Sequence, residues 1–195
     1  MSIEELIYIL KTMSPSSILR TCEKELFDLI PELEKCKGCD QHSEWHIYDV
    51  YEHILHVVDG VESNEILRMS ALFHDIGKPE TLEIDKYGIG HFPEHEFKSK
   101  KIFEEFAENH SYDENKKKTI SKLIRFHDTK FNMLEENEVK EIISKFTKEE
   151  LIMLYKLKRA DIKAQSKKAK NLFREYDKQE KRLLLLKKGK KENGK

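Results

Sequence analysis

The chain has 195 residues, a length that suits one domain or one domain with an appendage. Charged residues (37%) nearly equal hydrophobic ones (38%), and seven Gly and four Pro supply little turn material, so helices with solvated charged faces are expected and a strand-rich fold is disfavoured. The net charge of -1 conceals an asymmetry: residues 163–195 hold 13 Lys/Arg against 4 Asp/Glu, a net of +9, which leaves -10 for residues 1–162. A basic end offers contact with RNA, although the plainer reading is a solvated helix and a frayed tail.

Three cysteines, Cys22, Cys36 and Cys39, do not make a disulfide framework, which points to a reducing, cytoplasmic compartment. Met1 to Leu10 carries Glu4 and Glu5 without a basic start and is not read as a signal peptide. The longest aliphatic run, Leu183 to Leu186, is far too short to span a membrane, so no membrane association is expected.

Taken in chain order, Ile3, Leu6, Ile7 and Leu10 mark a short apolar stripe. Ser16 to Cys36 continues at helical period through Leu19, Cys22, Leu26, Leu29 and Leu33, with Pro31 set to divide it. Lys37 to Asp40 is a break. Tyr48 to Val61 and Glu65 to Ile76 are two apolar helices, the second stopped by Gly77 and Pro79. Thr81 to Phe92, with Gly88 and Gly90, reads as a loop with a short hairpin. Glu94 to Asn109 is a helix with Phe97, Ile102, Phe103 and Phe106 on its apolar side. Glu114 to His127 and Glu138 to Phe146 follow, and Thr147 to Glu150 matches a capping box that opens a helix running through Leu151, Leu154 and Leu157 to Asp161. Ala169 to Leu186 is expected as a long exposed helix, and Lys187 to Lys195 as a disordered tail. The expected division is residues 1–40 as helices packing on a core, 41–166 as the core domain, and 167–195 as a basic helix and tail.

The histidines carry the chemical signal. His74 and Asp75 adjoin one another in a helix otherwise built from Leu67, Met69, Ala71, Leu72, Phe73 and Ile76. A buried charge must be paired or metal-bound, and a plain His-Asp hydrogen bond at the helix end is the alternative. The pair has company: His53 lies on the preceding apolar helix, His95 on the following one, His127 ends another, and Asp161 closes the Leu151 stretch. One ligand per helix is what a metal site inside a helical bundle requires. Imidazole and carboxylate together suit Mn, Fe, Co, Ni or Zn, with Mg also admitted.

His53, His74-Asp75 and Asp161, in that order, resemble the HD superfamily of metal-dependent phosphohydrolases. The likeness is closer still to the HD domain of bacterial tRNA nucleotidyltransferases, the CCA-adding enzymes. His46-Ile-Tyr-Asp-Val-Tyr-Glu-His53-Ile-Leu resembles their H-x-x-Y-D-V-x-x-H-T-L, and Ser70-Ala-Leu-Phe-His-Asp-Ile-Gly-Lys-Pro79 their A-L-L-H-D-I-G-K-P. Gly90-His-Phe-Pro-Glu-His95-Glu resembles G-H-F-x-G-H-E, with Glu94 in place of the usual Gly. Arg125-Phe-His127-Asp128 and Arg159-Ala-Asp161-Ile-Lys-Ala-Gln-Ser166 follow in family order. The resemblance spans roughly Gln41 to Ser166 and implies an all-α HD-domain bundle with a metal site in its core, followed here by a basic C-terminal helix. Met1 to Asp40 offers neither the Gly-rich nucleotide motif nor the paired carboxylates of the polymerase head, so nucleotide addition is not expected.

The resemblance implies that His53, His74, Asp75 and Asp161 bind one ion. His95 and His127 then either bind a second, with Asp75 bridging, or meet the substrate phosphate directly. Lys78, just past the metal-bearing helix, is a candidate phosphate clamp or a cation at a helix C-terminus. Arg125 is a weaker phosphate candidate. His56, three residues after His53, is the rival ligand on that helix. His46 and His91 are placed to line a pocket, and His42 and His110 belong to the surface. Cys36-x-x-Cys39 with His42 lacks the second ligand pair of a structural zinc site. Trp45 reads as a packing anchor ahead of the His53 helix, with a base-stacking wall as the alternative.

The expected function is hydrolysis of a phosphomonoester or a cyclic phosphodiester of a nucleotide or RNA end. Asp75 would orient metal-activated water, Lys78 would neutralise the phosphate, and His95 or His127 would protonate the leaving oxygen. The alternatives are a metal-containing nucleotide or RNA sensor module without turnover and a purely structural, degenerate core.

Overall fold

The computed structural model describes residues 1–189 and is all-α, with eleven α-helices and one two-stranded ribbon among the described residues. Helix α1 (Ile3–Leu10) opens with a Ser2/Glu5 capping box. The stretch expected as one helix divided at Pro31 is three: α2 (Pro15–Thr21), α3 (Glu23–Leu29) and α4 (Pro31–Cys36). Ile30 leaves the helical region at φ -132, ψ 81, because the proline ring clashes with a helical backbone at the preceding residue. The additional break falls at Cys22, which leaves the helical region at φ -114, ψ 35.

Helices α5 (Val50–Gly60) and α6 (Glu65–Phe73) follow, capped by Asp49 and Asn64, whose side chains accept from the Glu52 and Leu67 amides. A 3-10 turn (Lys78–Glu80) leads into strands β1 (Glu83–Ile84) and β2 (Gly90–His91), the expected hairpin, which pair antiparallel with Glu83 opposite His91. Then come α7 (His95–Asn109), α8 (Glu114–Phe126), α9 (Glu136–Ser144), α10 (Lys148–Ala164), a 3-10 turn (Lys167–Asn171) and α11 (Leu172–Gly189). The expected Thr147/Glu150 capping box is present at α10. Helix α9 starts two residues earlier than its apolar pattern because Glu135 and Glu138 form a third such box.

Helix α6 is central, packed against α1, α5, α7, α8 and α10, while α10 also packs on α5, α8 and α11. One apolar core runs from Leu6 to Leu183. Three expectations need correcting. Helix α11 is not simply exposed: Leu183 is 1% accessible and Gln179 bonds the Tyr155 hydroxyl at 3.2 Å, which docks the helix on α10. Residues 187–189 of the expected tail belong to it, and Lys187 donates to the Ile143 carbonyl at 2.9 Å; residues 190–195, the remainder of that tail, lie outside the described residues. Phe97 and Trp45 are exposed rather than packed inside, and the Arg125 guanidinium covers the Phe97 ring at 3.5 Å. No helix among the described residues is long and apolar enough to cross a membrane.

Candidate metal centre

The candidate ligands come from five places in the fold. His53 lies on the buried face of α5 with Val50, Ile54 and Val57, all of them at helical spacing. His56, its rival, is exposed and stacks on the Tyr48 ring at 4.2 Å, so it points away from the centre. His74 and Asp75 sit where α6 ends and tightens: the Ile76 amide reaches the Phe73 carbonyl and the Lys78 amide the Asp75 carbonyl, both three residues back. Gly77 then lets α7 come close. A Cβ there would lie 2.7 Å from the Ser99 amide nitrogen and 2.8 Å from the His95 carbonyl. That approach brings His95, the first residue of α7, against Asp75. His127 follows the last residue of α8, and Asp161 lies on α10.

These residues converge. Among the described residues two groups of three ligands form, His53–His74–Asp75 and Asp75–His95–His127, each with its donor atoms within 4.8 Å of one another. Asp75 belongs to both. Its Oδ2 is 3.4 Å from His53 Nε2 and 3.3 Å from His74 Nε2; its Oδ1 is 3.3 Å from the Nε2 of both His95 and His127. Asp161 borders the first group, with Oδ1 3.1 Å from His53 Nε2.

The donor chemistry fits divalent cations. His74, His95 and His127 each direct Nδ1 at the backbone carbonyl three residues back, of Ala71, Phe92 and Ile124, at 2.8, 2.9 and 2.7 Å. A carbonyl only accepts, so Nδ1 carries the proton and Nε2 presents a lone pair inward. Facing Nε2 atoms then stand 3.4 Å apart, His53 to His74 and His95 to His127. Asp75 Oδ1 is buried with no hydrogen-bond donor. The facing lone pairs of His95 and His127, beside the donorless Oδ1 of Asp75, repel one another unless a cation lies among them.

The electrostatics agree. Burial by itself would raise the Asp75 carboxyl, but the charges of His74 and Lys78 outweigh it and hold the group well below its ordinary range. Asp161 is likewise lowered against its burial, chiefly by His53. Burial opposes protonation of His74 and His95, yet Asp75 raises both; at His127 burial prevails and the pKa falls. Protons on these ring nitrogens would compete with a metal for the site.

The centre opens into a cleft of about 440 Å³, lined by Asp75, Lys78, His95, His127 and Asp161, with His46, His91 and Gln165 also on its surface. Lys78 is the only lysine or arginine lining it among the described residues. Its Nζ pairs with Asp75 Oδ2 at 2.7 Å and donates to Gln41 Oε1 at 2.8 Å. His46 lines the cleft as expected, and burial pushes its pKa down to about 3, so it is neutral near physiological pH. Arg125 does not line the cleft; it is held by Glu96 at 3.2 Å. His42 is exposed as expected, whereas His110 is half-buried and reaches the Phe106 carbonyl at 2.8 Å. Cys36 and Cys39 are free thiols and neither joins a ligand group among the described residues.

Three contributors escaped the sequence reading. Gln165 donates to Asp161 Oδ1 at 3.0 Å, and Gln41 orients Lys78; neither has a pattern to reveal it. Lys158 does. It interrupts the apolar stripe of Leu151, Leu154, Tyr155 and Ile162 on α10, is 1% exposed, and burial pushes its pKa down to about 8. A lysine on an apolar stripe is a legible anomaly.

Residues 44–186 match the family model described as HD domain. No curated protein shows significant similarity to the chain.

Proposed function

The chain belongs to the HD-domain family, whose members are generally metal-dependent phosphohydrolases that bind divalent metals, and from that premise we propose that it hydrolyses a phosphomonoester or a cyclic phosphodiester of a nucleotide or an RNA end. The observation that carries this reading is Asp75, one carboxylate shared by two groups of inward-facing imidazoles beside an open cleft. In this reading His53, His74, Asp75 and Asp161 hold one ion, and Asp75, His95 and His127 a second. The donorless Oδ1 of Asp75 favours the second-ion role of His95 and His127 over direct phosphate contact.

The chemistry such ions supply is Lewis acidity towards phosphoryl oxygens and activation of water near neutral pH. The chain's own residues do the rest. Asp75 orients the attacking water from between the two groups. Lys78, anchored by Asp75 and Gln41, presents positive charge to the incoming phosphate. The cleft falls within the range of roughly 300–1,000 Å³ common for small-molecule sites, enough for a phosphoester and part of a nucleoside. The exposed cations of α11, Arg174, Lys178, Lys181 and Arg182, recur at one-turn intervals and support an RNA end as one form of the substrate.

The test is elemental analysis of protein purified without chelator, with turnover of 2',3'-cyclic AMP and p-nitrophenyl phosphate measured in added Mn or Ni. Bound metal and turnover are expected, both lost in His74→Ala and Asp75→Ala. Metal without turnover on either compound would move the chain to the nucleotide-binding reading. Turnover that persists in both variants would overturn the mechanism.

A further inference from the structure

Helix α10 contributes more to the centre than Asp161. One turn earlier, the buried ammonium of Lys158 donates to the backbone carbonyl of His127 and, at 3.0 Å, to that of Thr129. It also faces the Tyr176 ring of α11, 5.2 Å from the centroid. An aliphatic residue would complete the apolar stripe of α10 without desolvating a charge. What the lysine holds explains its presence. Carbonyls at the end of α8 have no helical partner. One of them belongs to His127, whose Nε2 stands against Asp75 Oδ1 and His95 Nε2. The His127 ring is fixed by the Ile124 carbonyl and its backbone by Lys158, so ring and main chain are held from two directions.

We propose that Lys158 is a positioning residue for His127: by holding its carbonyl, Lys158 sets where Nε2 stands and hence how tightly Asp75, His95 and His127 bind their ion. The inference rests on the two-ion reading above. It makes α10 the element that serves both ligand groups, the first through Asp161 and the second through Lys158. A plain helix cap in this place would change stability and leave the relative affinities of the two groups alone.

The experiment uses the full chain as wild type and Lys158→Met, which keeps the side-chain length and removes both charge and donor. Mn(II) binding is titrated by electron paramagnetic resonance, in which a close pair gives a spin-coupled signal, and histidine tautomers of the metal-free protein are read by 15N NMR. Wild type is expected to bind two ions. Lys158→Met should keep the first affinity, bind the second ion about 10–100-fold more weakly, and lose the single Nδ1–H tautomer at His127 alone. Two ions at wild-type affinities would overturn the role of Lys158 and leave the two-ion reading standing. A wild type that binds only one ion would overturn the two-ion reading, and the His127 tautomer would then decide for Lys158: an unchanged signal in the variant overturns it. If Lys158→Met does not fold, Lys158→Gln is taken through the same measurements. If neither folds, Lys158 is a stability element and the proposal fails.

Discussion

Glu94 occupies left-handed backbone, φ 57 and ψ 19, immediately before His95. Glycine would take this conformation freely, whereas a Cβ is unfavourable there by roughly 1–2 kcal/mol. Glu94→Gly relieves that strain while returning about 0.5–1 kcal/mol of unfolded-state freedom. The expected net effect is a stabilisation of about 0.5–1 kcal/mol, a rise in Tm of about 1–4 °C for a chain of this size. Calorimetry checks it; an unchanged or lower Tm would mean that the glutamate side chain makes a compensating interaction. At the same scale, His53 and His56 lie near one face of α5, and periodicity alone left both as ligands. Burial separates them, His53 fully enclosed and His56 exposed.

At the scale of elements, the centre depends on how α7 meets the end of α6. The Gly77 amide donates to Ser99 Oγ at 2.9 Å, and its missing Cβ leaves room for the first turn of α7. Gly77→Ala would place a methyl against two backbone atoms of α7, which cannot yield as a side-chain tip does. A loss of about 1–3 kcal/mol is expected, together with weaker binding by the group containing His95, because α7 must move outward. Urea unfolding of metal-free protein and a metal titration measure the two effects; wild-type values in both would sink the close-approach argument. The helices themselves were largely readable, since apolar residues recur at helical period and caps announce their starts. Cys22 was not, because nothing in its composition marks a break, and the ends of α5 and α6 depended on caps and a tightened turn rather than on apolar pattern.

Across the whole molecule, Glu65 ties distant parts together. It accepts from Lys11 at 2.9 Å, just past α1, from Lys116 on α8 at 2.8 Å, and from the Tyr112 hydroxyl at 2.8 Å. Burial would raise its pKa, but Lys116, Lys11 and Tyr112 lower it to about 2. The folded state therefore binds a proton less readily than the unfolded state, whose ordinary value is near 4.5. The stabilisation is complete above about 4.5 and disappears as pH falls through about 2. Glu65→Gln should be less stable than wild type at neutral pH, with the difference closing in acid. Thermal unfolding between pH 2 and 7 checks the sign; a gap that widens in acid would contradict it.

The all-helical class, the order of the candidate ligands His53, His74, Asp75, His95, His127 and Asp161 along the chain, and the hairpin before α7 were legible in the sequence alone. Periodicity, caps and the chemistry of a His-Asp pair among apolar residues act locally, and local rules are written in local residues. Tertiary structure decided that Asp75 serves two groups, that Lys78 is ion-paired with it, that Arg125 is turned aside by Glu96, and that Lys158 holds His127. Those facts depend on which atoms meet across helices remote in sequence, and such meetings follow from packing the whole core, which no single segment encodes.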